Sequence, residues 1–189
     1  LVSDRLATID DPEARRITPT LVGSIDRAVD LCTDTLDFAR AERPLELGRF
    51  TLRELVGDVG EQLGFAVDGA PAWDNQVDAE EIVAADRGQL FRVLANLGKN
   101  AAEAGAERVR ISARRDAGIQ VIGIADDGPG LPPKAQARLF EPFAGSARPG
   151  GTGLGLAIAR EVMRSHGGDV VLAHTGAEGT AFELRLPAA

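Results

Sequence analysis

Gly151-Thr-Gly-Leu-Gly-Leu156, at the start of an apparent helix some twenty residues after Asp126-Asp-Gly-Pro-Gly130, constrains this chain more than any other feature. Glycine costs backbone entropy, so glycines at alternate positions of a helix start imply a backbone that must come close to something. A helix N-terminus with free amides favours an anion, typically phosphate. The familiar nucleotide fingerprints fail here. Neither cluster spells G-x-G-x-x-G, and Gly98-Lys99 is followed by Asn100 without the upstream glycine of a P-loop.

Upstream, Leu90, Val93, Leu94, Leu97 and Ala101 follow a helical period within Gln89 to Ala104. Asn96 and Asn100 are one turn apart on that helix, so their amides share one face, bordering the apolar stripe. An amide oxygen there suits Mg²⁺, a hard ion that takes oxygen ligands and keeps several waters.

In this order the segments resemble the ATP-binding domain of sensor histidine kinases of two-component systems, a branch of the GHKL ATPase superfamily. Asn96 to Ala101 resembles the N box, Asp126-x-Gly128-x-Gly130 the first G box, Leu139 to Phe143 the F box, and Gly151 to Leu156 the second G box. Gly179-Thr180 resembles the last box, and the likeness covers about residues 46 to 187. The resemblance implies ATP and Mg²⁺ as ligands, with Asn100 on the metal and Asp126 accepting from the adenine exocyclic amine. An ionised carboxylate only accepts, so it selects an amino group over a carbonyl. The resemblance further implies that Gly128 and Gly130 pass beside the base. Gly151, Gly153 and Gly155 bring amides to the phosphates, with Thr152 as N-cap or hydroxyl donor. Asn96, Phe143, Leu154, Leu156 and Thr180 complete the expected pocket, and residues 144–150 resemble the mobile ATP lid.

Members of the superfamily that hydrolyse ATP carry a glutamate base where this chain has Asn96. An amide cannot take a proton from water, which points to γ-phosphoryl transfer rather than hydrolysis. The chain departs from many histidine kinases at Glu103, where a lysine or similar donor is common; Lys99 and Arg148 are the nearby cations.

Residues 1–43 read differently. Ile17, Leu21, Ile25, Ala28, Cys32, Leu36 and Ala39 are spaced by three or four, the narrow seam of a bundle or coiled-coil helix, with Asp10 to Glu13 as its capped start and Pro19 as a kink or second start. This segment resembles the second helix of the dimerisation and phosphotransfer hairpin, with residues 44–189 as the catalytic domain. The family's phosphoacceptor histidine lies on a preceding helix, in a box with an acidic residue and a proline. Neither of the two histidines has that setting, so no catalytic residue is assigned. His166, before Gly167-Gly168, reads as a helix-end cation with a glycine cap; His174 reads as a strand end. A chain starting at Leu1 is expected to be cut from a longer protein that the resemblance allows to be membrane-anchored, homodimeric through its hairpin and partnered by a response regulator receiver domain.

The net charge of −8 argues against a nucleic-acid partner. One cysteine, Cys32, excludes an internal disulfide and suits a reducing cytoplasm, and no apolar run reaches the length of a membrane span. Strands near 45–51, 81–86, 108–113, 120–125, 169–173 and 181–186, with helices near 52–63 and 154–165 and the N-box helix, predict an α/β two-layer sandwich. Arg108, Arg110, Arg114 and Arg115 read as a solvated strand face, and Trp73 as a packing residue. Two rivals share the motifs: an anti-sigma-type regulatory serine kinase, and a docking module that retains the fold without ATP.

Overall fold

The computed structural model describes residues 17–18, 20–25, 28–29, 32, 44–65, 67, 69–143 and 152–188. Strands β1 (Leu47–Thr51) and β3 (Ile82–Asp86) form a two-stranded antiparallel ladder. A five-stranded sheet runs in the order β2 (Ala72–Asn75), β4 (Arg108–Asp116), β5 (Ile119–Asp126), β7 (Gly179–Pro187), β6 (Asp169–Gly176). Only β2 runs parallel to its neighbour; the other pairings are antiparallel. Three helices supply the second layer, α1 (Leu52–Gln62), α2 (Arg87–Glu103) and α4 (Gly155–Ser165), and a single turn, α3 (Pro133–Gln136), follows the first glycine cluster.

Alternation in the strands and helical spacing in the second layer meet in one core. Val109 and Ile111 of β4, Ile122 and Ile124 of β5, and Phe182, Leu184 and Leu186 of β7 are buried on every second position. Facing them are Leu52, Leu55, Val56 and Val59 of α1, Leu90, Val93, Leu94, Leu97 and Ala101 of α2, and Ile158, Ala159, Val162 and Met163 of α4. The two-layer α/β expectation therefore holds. Asp126 continues the buried series of β5 by one more alternate position, opposite Thr180 of β7. That places a carboxylate at the sheet's end, on the helix side.

The strand arginines lie on the solvated face as expected, and three of them are ion-paired there: Arg110 with Asp74, Arg114 with Glu183, and Arg115 with Glu81. Strand β2 is the element the sequence did not announce. Its Ala-Trp-Asp-Asn is poor in strand formers, and its ladder runs on one side only. Trp73 is nonetheless a packing residue, since its indole N–H donates to Val56 O (2.8 Å) and its ring lies 5.3 Å from that of Phe65. It fills the space left by two helical glycines, Gly60 of α1 and Gly98 of α2.

In the N-terminal segment, residues 17–18, 20–25, 28–29 and 32 are helical, and the expected seam positions Ile17, Leu21, Ile25, Ala28 and Cys32 are exposed. Leu36 and Ala39 of the seam, and the expected capped start at Asp10 to Glu13, lie outside the described residues. Among the described residues no helix is long and apolar enough to cross a membrane.

A methyl group added at Gly98 would lie 2.8 Å from Leu63 Cδ1 and 3.1 Å from Trp73 Cζ3. Gly98→Ala should therefore lower the stability by about 1–3 kcal/mol through overpacking, despite alanine's better helix propensity. Urea unfolding followed by the fluorescence of Trp73, the single tryptophan, measures it; an unchanged or higher midpoint would contradict the packing described.

Candidate functional site

Helix α2 is the spine along which the motif residues assemble. It starts where β3 ends: Asp86 is its N-cap, and the carboxylate accepts from Gln89 N (3.0 Å). Asn96 and Asn100 follow on one face, both partly buried, and among the described residues neither side chain is hydrogen-bonded. Helix α4 lies against that face. A Cβ on Gly155 would come within 2.5 Å of Asn96 Oδ1, so glycine at 155 is what lets the start of α4 approach the asparagine. Two turns further on, Ala104 meets the first glycine cluster, 3.5 Å from where a Cβ on Gly128 would stand. The N box thus links both clusters over about 12 Å of helix.

Asp126 sits at the convergence. Its Oδ1 accepts from Gly128 N (2.9 Å) and Thr180 N (3.3 Å), leaving Oδ2 without a protein donor among the described residues. Burial raises its pKa above the ordinary carboxylate value, and the two amide bonds oppose that shift without cancelling it. A chain of contacts steadies the wall around it. Leu131 N donates to Thr175 Oγ1 (2.7 Å), which lies 3.4 Å from Thr180 Oγ1. Gly130 adopts φ +77° with its Cα facing the Gly176 carbonyl, where any side chain would collide. Gly179 (φ +126°) is likewise pressed against the Asp126 carbonyl.

The neighbouring Asp127 has a different role, which the motif reading passed over. Its Oδ1 accepts from Arg108 N (2.9 Å) and Glu107 N (2.8 Å), pinning the end of β5 to the start of β4. Those amides, the Arg108 bond foremost, hold its pKa below the ordinary value. Two adjacent aspartates are therefore pushed in opposite directions. The doubled carboxylate in the sequence was the available signal.

At the second glycine cluster Gly151 lies outside the described residues, as do residues 144–150 and Arg148. Thr152 is not the helix N-cap. Leu154 holds that position, without a side-chain cap, and Thr152 Oγ1 accepts from Leu154 N (3.3 Å). The shift follows from Gly153, whose φ of +70° turns the chain before the helix begins. Leu154 is buried and Leu156 packs on the core. In the F box Leu139 and Phe140 pack on the core, whereas Phe143 is 70% exposed with φ +56°. The Arg160 guanidinium lies 4.7 Å from the Phe140 ring centre while making a two-pronged pair with Asp169 (2.8 and 3.0 Å). That pair ties the F box to α4 and β6. Lys99 and Glu103 approach to 3.9 Å across one helical turn, so the acidic residue is offset by a local cation.

His166 differs from the expected helix-end cation. Its Nε2 accepts from Asp86 N (3.0 Å) while Nδ1 donates to Val162 O (2.8 Å), an arrangement that requires the neutral ring. The glycine cap is as expected, with Gly167 at φ +75°. His174 is exposed beside the bulge in β6. Among the described residues no group of three or more His, Cys, Asp or Glu side chains could hold a metal. An oxygen-seeking ion here would depend on amide oxygen, ligand oxygens and water, which suits Mg²⁺ and the unengaged Asn100.

Residues 85–189 match the family described as histidine kinase-, DNA gyrase B-, and HSP90-like ATPase. The signal transduction histidine-protein kinase AfsQ2 of Streptomyces coelicolor is 35% identical over 185 residues, covering 94% of this chain and 34% of that protein. The chain thus spans about a third of that relative's length. Full-length ShkA in complex with AMPPNP superimposes with a TM-score of 0.72 at 30% identity, over 95% of this chain and 40% of that one. The histidine kinase ThkA, solved with the response regulator protein TrrA, gives 0.73 at 25% identity, over 98% and 55%.

Because its native pKa is raised, ionised Asp126 costs the ligand-free fold stability; the cost is full above that pKa and vanishes as pH falls below the ordinary value near 3.8. Asp126→Asn keeps an acceptor for Gly128 N and Thr180 N without the charge. It should raise the thermal midpoint at pH 7.5 by about 2 °C or more, with the gain shrinking toward pH 4. A lower midpoint at pH 7.5 would contradict the desolvated carboxylate.

Proposed function

Since the chain belongs to the histidine kinase-, DNA gyrase B- and HSP90-like ATPases, and among them to the ATP-binding domains of sensor histidine kinases, we propose that residues 44–189 present the γ-phosphoryl of Mg²⁺-bound ATP to a histidine on another segment. The observation that carries this reading is Asp126. One carboxylate oxygen is held by two backbone amides and the other is left to accept, in a partly desolvated site at the sheet's end. Such a group suits the adenine exocyclic amine and rejects a carbonyl at the same place.

The remaining roles are those that the resemblance to the family implies. Gly128 and Gly130 keep the wall beside the base free of side chains. Asn100 offers its amide oxygen to Mg²⁺, which when bound offsets the negative charge of the phosphates. Gly151, Gly153 and Gly155, with the Thr152 hydroxyl, bring donors to the phosphates, while Asn96, Leu154, Leu156, Phe143 and Thr180 line the pocket. Transfer then rests on positioning and charge neutralisation. Asn96 supplies no base for water, and its packing against Gly155 supports a role in seating helix α4.

The named relatives are histidine kinases, which favours this branch over a serine kinase of the anti-sigma type. In the longer protein the reading includes a dimerisation and phosphotransfer hairpin to which residues 1–43 contribute, a homodimer, and a response regulator as recipient. The ThkA–TrrA complex supports that last partner.

Calorimetry of this chain with ATP should give binding that strengthens with Mg²⁺, and Asn100→Ala should remove most of the Mg²⁺ dependence, at least about tenfold in affinity. With γ-labelled ATP and a longer protein carrying the acceptor helix, label should appear as acid-labile phosphohistidine, with little free phosphate. Phosphoserine on a partner, or rapid release of free phosphate without transfer, would overturn the assignment.

A further inference from the structure

The end of the helix pair remote from the candidate nucleotide site carries a joint that none of the motifs describes. Helices α2 and α4 pack antiparallel: Gly155 meets Asn96, and eleven residues along α4, His166 meets Asp86 at the start of α2. The two contacts are about 16 Å apart along α4. Asp86 is bonded three ways there. Its backbone N–H donates to His166 Nε2 (3.0 Å), its Oδ1 caps α2 through Gln89 N (3.0 Å), and its Oδ2 accepts from Glu46 N (3.1 Å). Glu46 precedes Leu47, the β1 residue paired with Asp86, so the carboxylate extends the β1–β3 ladder by one bond to the incoming chain.

We propose that Asp86 and His166 are positioning residues that tie the direction in which the chain enters the domain at Glu46 to the seating of nucleotide at Gly155 and Asn96. The inference rests on the nucleotide reading above. Helix α4 is packed along the first half of α2, touching it at both of its own ends, Gly155 on Asn96 and His166 on Asp86. A ligand that draws the start of α4 against Asn96 loads the His166 contact at the other end. Asp86 passes that load to Glu46, because one residue holds both. A ligand shifts such an equilibrium only by its differential affinity for the two arrangements, so the coupling is readable as a ligand-dependent change at Glu46.

Asp86→Asn separates the two functions of the side chain. Asparagine caps a helix as well as aspartate does, but its NH₂ faces the Glu46 amide as donor against donor. Amide hydrogen exchange by NMR on this chain, with Mg²⁺ and AMPPNP as the probe, reads the joint. In the ligand-free chain Asp86→Asn should speed exchange at Glu46 about five- to tenfold, with AMPPNP affinity unchanged within about threefold. In the wild type, saturating AMPPNP should slow Glu46 exchange about threefold or more, and His166→Ala should lose that slowing while still binding AMPPNP. A purely structural role for His166 would lower stability without removing the ligand-dependent change. Glu46 exchange that ignores Asp86→Asn, or that ignores bound AMPPNP in the wild type, overturns the joint. Failure of AMPPNP to bind at all overturns the nucleotide reading, and the coupling with it.

Discussion

A carboxylate partly withdrawn from water at the end of a central strand is the constraint around which this domain is arranged. Asp126 occupies the last inward position of β5, and two backbone amides on one oxygen oppose the desolvation. Each neighbour is shaped by that need. Gly128 turns its amide back to the carboxylate, and β7 must start close enough to bring in the Thr180 amide. Gly179 then has no room for a side chain against the Asp126 carbonyl. Asp127 faces the other way and fastens the same strand end to β4, which fixes the place of the acceptor. A single strand terminus thus carries two aspartates of opposite electrostatic character, one poised to accept and one already satisfied.

The helix pair α2 and α4 extends that arrangement across the domain. Small residues set how closely the helices pack: Gly155 admits Asn96, and on the other side of α2 Gly98 admits Trp73. The cost is helix propensity at both positions, offset by contact between elements far apart in sequence. Arg160 acts between these parts, bound to Asp169 at the start of β6 and stacked on Phe140 of the F box. The F box and the start of β6 are therefore anchored to the same helix.

Much of this was legible in the sequence because periodicity and motif spacing report on burial and on backbone approach. The strands β4, β5 and β7 announce themselves by alternation, and α1, α2 and α4 by helical spacing. Asn96 meets Gly155, and Asp126 meets Gly128, as their order suggests. What escaped depends on contacts between distant segments. Strand β2 has no pattern of its own and exists because β4 offers a ladder and the glycines of α1 and α2 make room for its tryptophan. The neutral state of His166 is fixed by an amide eighty residues away. The cap of α4 moved to Leu154 because a left-handed glycine, not a hydroxyl, turns the chain.

The central claim is that Asp126 accepts from an amino group on the base. Inosine triphosphate carries a carbonyl in place of that amine, with a proton on the adjacent ring nitrogen N1, and is otherwise identical to ATP. Titration calorimetry with Mg²⁺ should show ATP bound about a hundredfold or more tighter than inosine triphosphate, because the carbonyl would face an ionised acceptor. Equal affinity for the two nucleotides would contradict the account.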